Sequence, residues 1–389
     1  MLLGLGRFYL ARGQFQTAHE LREQLLALAQ RFHDPGLLVR AYTMLAQTSY
    51  QLGEFVHTRE YAEQALALYD PQQHRSHVFL YGNDARIAGL SFASGALWYL
   101  GYPDQALQRS QAALAWAQEL THPFSVTGAL TVAAVLHQRR REGQAVQERA
   151  EAAMTLSTGQ GFSSYLAVAT ILRGWALVEQ GQEEEGIAQM RQGLAAHRAT
   201  GAKLWQRYFL ALLAEAHGKV GQPEEGLTVL VEALAIVDST EERVYEAELY
   251  RLKGTLTLQS KTSLGQVQSK SQTSRRQVEN KSQTRQNKSG PDPRPLIPDP
   301  QSEAEAYFLK AINIAQHQQA KSLELRAVMS LVRLRQQQVA QPVSRTTQHE
   351  TRLRLDAART MLSEIYNWFT EGFDTVDLKE AKALLENLG

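Results

Sequence analysis

Four side chains in one short segment have the chemistry of metal ligands. His74 and His77 lie three positions apart, between Asp70 and Asp84. Zinc binds imidazole nitrogens and carboxylate oxygens, but its ligands must converge on one point, and spacing this loose is common in chains that bind no metal. The segment is therefore either a metal site or, as we expect, a structural loop between two helical units.

A third interpretation is that the same segment, YDPQQHRSHVFLYGNDARI, touches a ligand. Its secondary candidates for such contact are Tyr81, Asp84 and Arg86. The segment lies where the spacing of the repeats stretches to 48 residues, the distance from Gly53 to Gly101.

Catalysis would need titratable side chains that converge in one cleft. Only His137, Arg140 and Glu215 could start such a cluster. The chain has no GxxxxGK[ST], HExxH or GxSxG motif and no GxGxxG in a strand-turn-helix context, and it has no cysteine. Disulfides, thiolate metal sites and cysteine nucleophiles are therefore excluded. We expect no enzyme activity, no cofactor and no metal.

Composition and charge limit the compartment and the partners. Of 389 residues, 43% are apolar, and 41 basic side chains against 40 acidic ones give a net charge of +1. No global field favours nucleic acid or anionic lipid. The chain has neither a signal peptide nor a run of 18 apolar residues. We expect a cytoplasmic protein that binds neither nucleic acid nor membrane.

A repeat of about 40 residues runs through the chain. Similar phrases such as QLGEFVHT, YLGYPDQA and GKVGQPEEG each carry a glycine, and these glycines are spaced 40, 48, 42, 38 and 40 residues apart. They are Gly13, Gly53, Gly101, Gly143, Gly181 and Gly221. An amphipathic helical pattern precedes and follows each one, so each unit is predicted to be a helical hairpin with a glycine turn.

One hairpin cannot bury two apolar faces, so consecutive hairpins must stack. Alternating strand patterns are nearly absent. The predicted fold is all-α, a right-handed α-solenoid of about eight hairpins with a concave groove and a C-terminal capping helix.

The second helices carry an Ala-x3-aromatic-x2-Ala pattern that resembles the tetratricopeptide repeat (TPR). It stands as Ala304, Phe308 and Ala311, and in weaker form as Gly226, Leu230 and Ala233. A leucine followed by a small residue on the first helix matches at Leu45 and Leu213. The usual unit is 34 residues, so this chain is similar to the long-helix, degenerate branch of that family.

In such a stack the first helices line the concave side. Counting back from each turn glycine predicts which side chains face the groove. The resulting candidates for ligand or partner contact are Gln47, Tyr50, Trp98, His137, Arg140, Trp175 and Glu215. The alternative is that Trp98 and Trp175 pack between adjacent repeats, as large aromatic residues usually do.

Two interruptions divide the chain. Residues 260–300 have low complexity and a charge of +5, and they should be disordered because they contain too few apolar residues to form a core. A tolerated loop expansion is the expected reading and an electrostatic tether the alternative. The predicted organisation is helical repeats over 1–259, the insert over 260–300, and the last repeats over 301–389 with a loop at 339–353.

The two ends of the chain differ. Gly372 breaks the last hairpin, and a further amphipathic helix over 375–388 should cap the stack, with Thr375 or Asp377 at its start. The first helix begins at once with apolar residues, as if another segment preceded it.

Phrases such as LGYPDQALQRS, YFLALLAEAHGKVGQPEEGL and WFTEGFDTVDLKEAKALLENL resemble the C-terminal TPR region of bacterial signalling proteins that join an adenylate or guanylate cyclase to an AAA-type ATPase. The resemblance implies a sensor or docking arm, here without the cyclase and ATPase domains. We expect a non-catalytic scaffold of a signalling system that binds a segment of a protein partner in its groove, and the resemblance implies an ATPase or cyclase of that system as the partner. The alternative is a small-molecule sensor with a closed, aromatic-lined pocket.

Overall fold

The computed structural model describes residues 2–260, 299–341 and 345–388. Within these ranges all regular structure is helical, and the helices form eight consecutive hairpins followed by one further helix. The predicted all-α solenoid is confirmed.

The helices follow in chain order. The first two hairpins are α1 (Leu2–Ala11) with α2 (Phe15–Phe32) and α3 (Pro35–Leu52) with α4 (Phe55–Leu68). Two short helices, α5 (Pro71–His74) and α6 (His77–Tyr81), come next. The next three hairpins are α7 (Ala85–Tyr99) with α8 (Pro103–Leu120), α9 (Pro123–Arg139) with α10 (Gly143–Gln160), and α11 (Ser163–Glu179) with α12 (Glu183–Ala199). The last three are α13 (Gln206–Lys219) with α14 (Pro223–Ser239), α15 (246–260) with α16 (Pro300–His317), and α17 (Lys321–Val339) with α18 (Arg345–Trp368), before α19 (Val376–Glu386).

The turn between α3 and α4 shows how a hairpin reverses direction. Gly53 has a φ of 79°, and the N–H groups of Gly53 and Glu54 donate to the carbonyls of Tyr50 (3.2 Å) and Ser49 (2.9 Å). This Schellman motif needs a left-handed residue, a conformation that glycine adopts without steric cost. The predicted turn glycines at 13, 101, 181 and 221 also have positive φ.

The fourth hairpin turns differently from the prediction. Arg141, with a φ of 62°, takes the left-handed position, and Gly143 is the first residue of α10. A left-handed conformation is unfavourable for a residue with a side chain. The Arg141 guanidinium donates to Asp377 (3.4 Å) and Glu380 (2.8 Å) of α19, contacts that a glycine could not make.

The TPR-like motif of α16 packs as the pattern predicts. Ala304, Phe308 and Ala311 are at most 1% exposed. The Phe308 ring lies against Gly254 of α15, so close that a Cβ on this glycine would be 2.6 Å from it. The small residue on the first helix therefore makes room for the aromatic residue on the second.

The stack of hairpins closes on itself. The segment between α14 and α15 reaches back to the first two hairpins, where the N–H of Arg243 donates to the carbonyl of Gln51 (2.7 Å). The carboxylate of Glu241 accepts from the N–H of Gln16 (3.0 Å). Hairpins one to six consequently surround a central space instead of lining an open groove.

Helix α17 covers the turn ends of α7 and α9. The Ser322 hydroxyl donates to the carbonyl of Trp98 (2.6 Å), and Arg326 donates to the carbonyl of Arg139. Beyond α18, the Glu371 carboxylate accepts from the N–H of Asp104 (2.9 Å). The eighth hairpin therefore packs against the third and fourth, over separations of 187 to 267 residues along the chain.

Arg326 joins several elements at this contact. Its guanidinium donates to Asp377 of α19 (2.8 Å), lies 3.9 Å from Glu248 of α15 and stacks 5.0 Å from the Trp98 ring. The side chain is buried, and its two carboxylate partners compensate its charge. Each acid also has a second cation, Arg251 for Glu248 (2.6 Å) and Arg141 for Asp377 (3.4 Å), so Arg326 joins two ion pairs into one network.

The terminal helix does more than cap the last hairpin. Leu378 and Ala381 of α19 are buried in the core of the C-terminal hairpins, and Gly372 has the positive φ of a helix break. The Thr375 side chain does not cap α19 and donates instead to the carbonyl of Gly372 (2.6 Å). Through Arg141, α19 also contacts the fourth hairpin, so it bridges two distant parts of the stack.

The two predicted interruptions are only partly described. Residues 261–298 of the predicted insert lie outside the described ranges. In the predicted loop over 339–353, residues 345–353 are helical and belong to α18, while 342–344 lie outside the described ranges. None of the described helices combines the length and the apolar character that crossing a membrane would require.

We expect Arg326→Ala to lower the free energy of unfolding by about 2–4 kcal/mol, because it removes the charge-assisted hydrogen bonds to Asp377 and to the carbonyl of Arg139. Urea unfolding followed by circular dichroism measures the change. Arg333→Ala is the matched control, since Arg333 lies on the same helix and pairs with Glu380 on the surface (2.8 Å). It should cost about 0–1 kcal/mol, and equal losses in both variants would contradict the role of Arg326.

Candidate functional site

The inner side of the N-terminal hairpins encloses a cavity of about 560 Å³. Its wall consists of the first helices of the second to fifth hairpins, α3, α7, α9 and α11. Helix α1 and the segment 202–205, between α12 and α13, complete the lining. Closure of the stack brings the segment 202–205 next to the first hairpin, where Leu204 packs against Leu10 and Phe15, and so makes a cavity out of the concave face.

Aromatic and aliphatic side chains cover most of the wall. Phe124 meets the rings of Phe162 and Tyr165 edge to face, with centroids 5.3 and 5.1 Å apart. Phe92 and Trp205 line the cavity as well. Such a surface excludes water and favours a ligand with an apolar body.

The cavity has two different ends. Helix α3 runs along it from Arg40 to Tyr50, ten residues that span about 15 Å. Arg7, Ser163 and Ser164 line the end near Arg40 and are exposed, so this end is the mouth. Tyr50 is buried near the turn ends of the helices, where α17 covers the stack, so this end is the floor.

The charged groups of the lining are mostly positive. Arg7, Arg40 and Arg139 face a single acid, Asp84. The Asp84 carboxylate already accepts from the Tyr69 hydroxyl (2.7 Å), the Trp116 indole N–H (3.2 Å) and the N–H of Ile87 (3.0 Å). Burial raises the pKa of Tyr69, and its hydrogen bond to Asp84 raises it further, so the Tyr69 hydroxyl keeps its proton and donates it to this bond.

Two guanidinium groups meet at the mouth. Arg7 and Arg40 both donate to the side-chain oxygen of Asn83, over 3.2 and 2.8 Å, and Arg40 stacks 4.4 Å from the Tyr81 ring. Neither pairs with a carboxylate among the described residues. Burial, and then repulsion by Arg7, lowers the pKa of Arg40 to about 10. Two cations sharing one neutral acceptor leave positive charge uncompensated.

A third arginine lies at the floor. Arg139 is 7% exposed, and its guanidinium carbon is 4.8 Å from the Tyr99 ring and 5.8–5.9 Å from the rings of Tyr50, Trp98 and Tyr208. Its Nε is enclosed without a hydrogen-bond partner. No carboxylate pairs with it in the described part of the chain. The aromatic faces stabilise the cation but accept none of its conventional hydrogen bonds.

Two of the predicted groove residues reach this cavity. Gln47 and Tyr50 line it, and so does the secondary candidate Asp84. Gln47 also accepts from the buried guanidinium of Arg22 (3.3 Å). That these residues contact a ligand stays a prediction.

The predicted tryptophans are packed inside the protein. Trp98 and Trp175 are each 2% exposed. Trp98 lies beneath α17, and the Trp175 indole donates to Glu215 (3.3 Å). Burial alone would raise the pKa of Glu215, but nearby cations, first among them Lys219, lower it. These side chains are not on an open groove: Trp175 and Glu215 pack between the adjacent fifth and sixth hairpins, and α17 covers Trp98.

His137 and Arg140 belong to the turn of the fourth hairpin. Both bind the Glu142 carboxylate, through His137 Nδ1 (2.5 Å) and Arg140 Nε (2.7 Å), and Arg140 also donates to the carbonyl of Pro103 (2.9 Å). Burial alone would raise the pKa of Glu142, but these hydrogen bonds hold it below its usual 4.5. His137 and Arg140 therefore hold a turn together and do not converge with Glu215.

The segment with the two histidines is mainly structural. His74 Nδ1 accepts from the N–H of Asp70 (2.9 Å), and its ring contacts that of His77, with centroids 5.2 Å apart. Within the described ranges no group of three or more possible ligands could hold a metal ion. Arg86 stacks over Trp116 (4.5 Å), whereas Tyr81 supports Arg40 at the mouth.

The chain matches no protein-family model and no curated protein sequence. Among solved structures it is similar to a Rap protein complexed with competence and sporulation factor, with a TM-score of 0.47 and 12% identity over 65% of this chain and 74% of that one. It is also similar to a tetratricopeptide-repeat protein from Parabacteroides merdae, with a TM-score of 0.40 and 13% identity over 84% and 97% of the two chains.

A third similar structure is a signal transduction ATPase with numerous domains and a tetratricopeptide-repeat sensor, from Pyrococcus horikoshii. It has a TM-score of 0.43 and 13% identity over 98% of this chain and 52% of that one. This chain therefore spans about half the length of that ATPase. Similarity this distant transfers neither ligand nor activity.

We expect Glu142→Gln to lower the free energy of unfolding by about 1–2 kcal/mol at pH 7, because hydrogen bonds to a charged group are lost at a partly exposed site. The pKa of Glu142 is lowered in the folded state, so its stabilisation is present above pH 4.5 and is lost as the pH falls through the folded-state pKa. Melting curves of both proteins at pH 7 and pH 3 test this. A difference between the two proteins that stays constant with pH would contradict it.

Proposed function

We propose that this chain is a non-catalytic sensor module that binds a small molecule in the cavity lined by the first five hairpins and the segment 202–205. The observation that carries the proposal is the closure of the stack, which turns the concave side into an enclosed, aromatic-lined space. An open groove would favour an extended protein segment, whereas an enclosed apolar pocket with a few polar groups favours a small ligand.

The size of the cavity supports this choice. At about 560 Å³ it falls within the range of about 300–1,000 Å³ that is typical of small-molecule sites. Arg40, Asn83 and Gln47 supply polar contacts among apolar walls. This mixture suits a ligand that is mostly apolar and is oriented by a few hydrogen bonds.

The floor of the cavity offers a route to a partner. Arg139 lines the cavity, and its carbonyl accepts a hydrogen bond from Arg326 of α17. A ligand that shifts α9 would therefore shift the contact with α17 and α19. We propose that the C-terminal hairpins carry this change to a protein partner, an ATPase or a cyclase of a bacterial signalling system, as the resemblance of the repeats implies.

We expect Ser91→Trp to abolish binding, because Ser91 lines the cavity and a large ring would fill it. The probe is N-phenylnaphthylamine, a neutral aromatic dye that fluoresces in apolar sites, titrated against the purified full chain. The wild type should bind about one dye per chain, and Ser91→Trp should weaken binding by about tenfold or more.

Ala115→Trp is the matched control, since Ala115 is an exposed residue of α8 outside the cavity. It should bind the dye like the wild type. Equal binding by all three proteins would place the dye elsewhere and contradict the cavity as the site.

A second candidate function is the docking of a protein segment at the mouth. Phe79 and Leu80 of α6 are 80% and 73% exposed, and α6 adjoins the mouth because Arg7 donates to the carbonyl of Tyr81 (3.1 Å). Exposed apolar residues of this size are typical of interaction sites. A segment that covers them could close the cavity from outside.

This candidate predicts that short peptides bind the wild type and lose binding in the Phe79→Ser, Leu80→Ser double variant. Selection from a displayed peptide library, followed by fluorescence anisotropy of the enriched peptides, measures it. Dye binding should stay unchanged in the double variant, because neither residue lines the cavity. Peptides that bind both proteins equally would argue against docking at this rim.

A further inference from the structure

The floor of the cavity has an unusual electrostatic arrangement, defined by Arg139. A guanidinium buried to this extent is normally paired with a carboxylate, because an uncompensated charge in a low-dielectric interior is strongly unfavourable. Arg326, which donates a hydrogen bond to the carbonyl of Arg139, has two carboxylate partners, Asp377 and Glu248. Arg139 lies among four aromatic rings, pairs with no carboxylate in the described part of the chain, and has an enclosed Nε without an acceptor.

The remaining charges of the lining do not compensate Arg139. Among the described residues, Asp84 is the only acid that lines the cavity, and its oxygens are engaged by Tyr69, Trp116 and the start of α7. Asp84 lies at the start of α7, whereas Arg139 is the last residue of α9 and lies at the floor of the cavity. At the mouth, Arg7 and Arg40 add two further cations that pair with no carboxylate among the described residues.

We propose that the cavity takes an amphipathic anion, a ligand with an apolar body and one oxyanion, whose carboxylate or phosphate group binds Arg139 at the floor. This inference rests on the proposed function, because it names the chemical class of the ligand for the same site. The guanidinium fork matches the oxygens of either group, and its terminal NH2 groups, which donate to none of the described residues, would gain an acceptor.

The rest of the cavity fits the other parts of such a ligand. The aromatic wall around Phe92 and Phe124 covers the apolar body, and the distance from Tyr50 to Arg40 leaves about 15 Å for it along α3. Arg7 and Arg40 attract the anion to the mouth before it enters. Once bound, the oxyanion lies next to Arg139, whose carbonyl accepts the hydrogen bond from Arg326 of α17. The negative charge therefore lies where the C-terminal hairpins contact the N-terminal ones.

The test compares two dyes that share their rings and differ in charge. Anilinonaphthalene sulfonate carries an oxyanion, and N-phenylnaphthylamine is the same ring system without it. The full wild-type chain should bind the sulfonate at least about tenfold more tightly than the neutral dye. In Arg139→Met this preference should disappear while the neutral dye still binds, and Arg109→Met, which removes an exposed arginine of α8, should keep it.

Competition identifies the oxyanion without any variant, so the test does not depend on the folding of Arg139→Met. Octanoate or octyl phosphate should displace the neutral dye from the wild type at concentrations about tenfold below those needed for octanol. Whichever anion competes better assigns the group as carboxylate or phosphate. Arg139→Lys, which keeps the charge but loses the fork, should lie between the wild type and Arg139→Met.

The outcomes separate the two proposals. If neither dye binds in the cavity, the proposed function fails. A second outcome is that the neutral dye binds the wild type and Ser91→Trp removes this binding, which supports the cavity as the site. If the wild type then prefers neither the sulfonate over the neutral dye nor octanoate and octyl phosphate over octanol, the anion inference is overturned. A preference for the sulfonate that persists in a folded Arg139→Met protein would also overturn it, because the oxyanion would then bind elsewhere.

Discussion

A helical hairpin cannot cover both of its apolar faces, and the rest of this structure depends on how that problem is solved. Each hairpin hides one face against its neighbour, and the inner side of the stack, rich in aromatic residues, still needs a cover. Contacts far apart in sequence provide it. The segment 240–243 joins the first two hairpins, and α17 lies across the turn ends of α7 and α9. The contact with α17 therefore covers Trp98, and closure leaves a cavity where an open arc would have a groove.

The partners of two buried arginines differ between the part of the molecule that holds the fold together and the part available for binding. Arg326 has acids on two other helices and works as a joint between α15, α17 and α19. Arg139, whose carbonyl accepts a hydrogen bond from Arg326, lies among aromatic rings and pairs with no acid of the described residues. The two residues have the same side chain and similar burial, and the difference lies in the partners that the fold brings to each. A guanidinium that lacks a protein acceptor but lines a cavity suits an anion from outside.

The local elements could be predicted from the sequence, but the contacts between segments far apart in the chain could not. The turn at Gly53 follows from its glycine, and the buried Ala304, Phe308 and Ala311 follow from their spacing, because these features involve residues close in the chain. Arg141 in a left-handed turn could not be foreseen, since its partners on α19 lie more than 230 residues away. Arg40 and Arg139 give no sequence signal either, because an arginine on a helix usually faces solvent.

By itself the sequence determined the helices, their pairing into hairpins and the all-α solenoid, since amphipathic spacing and turn glycines act over a few residues. It also determined the short helix that ends the chain, through Gly372 and the apolar stripe that includes Leu378. Only the tertiary structure decided that the stack closes, that α19 bridges to the fourth hairpin, and that Arg139 has no acid beside it. The physical reason is that small rotations between successive hairpins add up over the whole stack, and their sum decides which distant side chains meet.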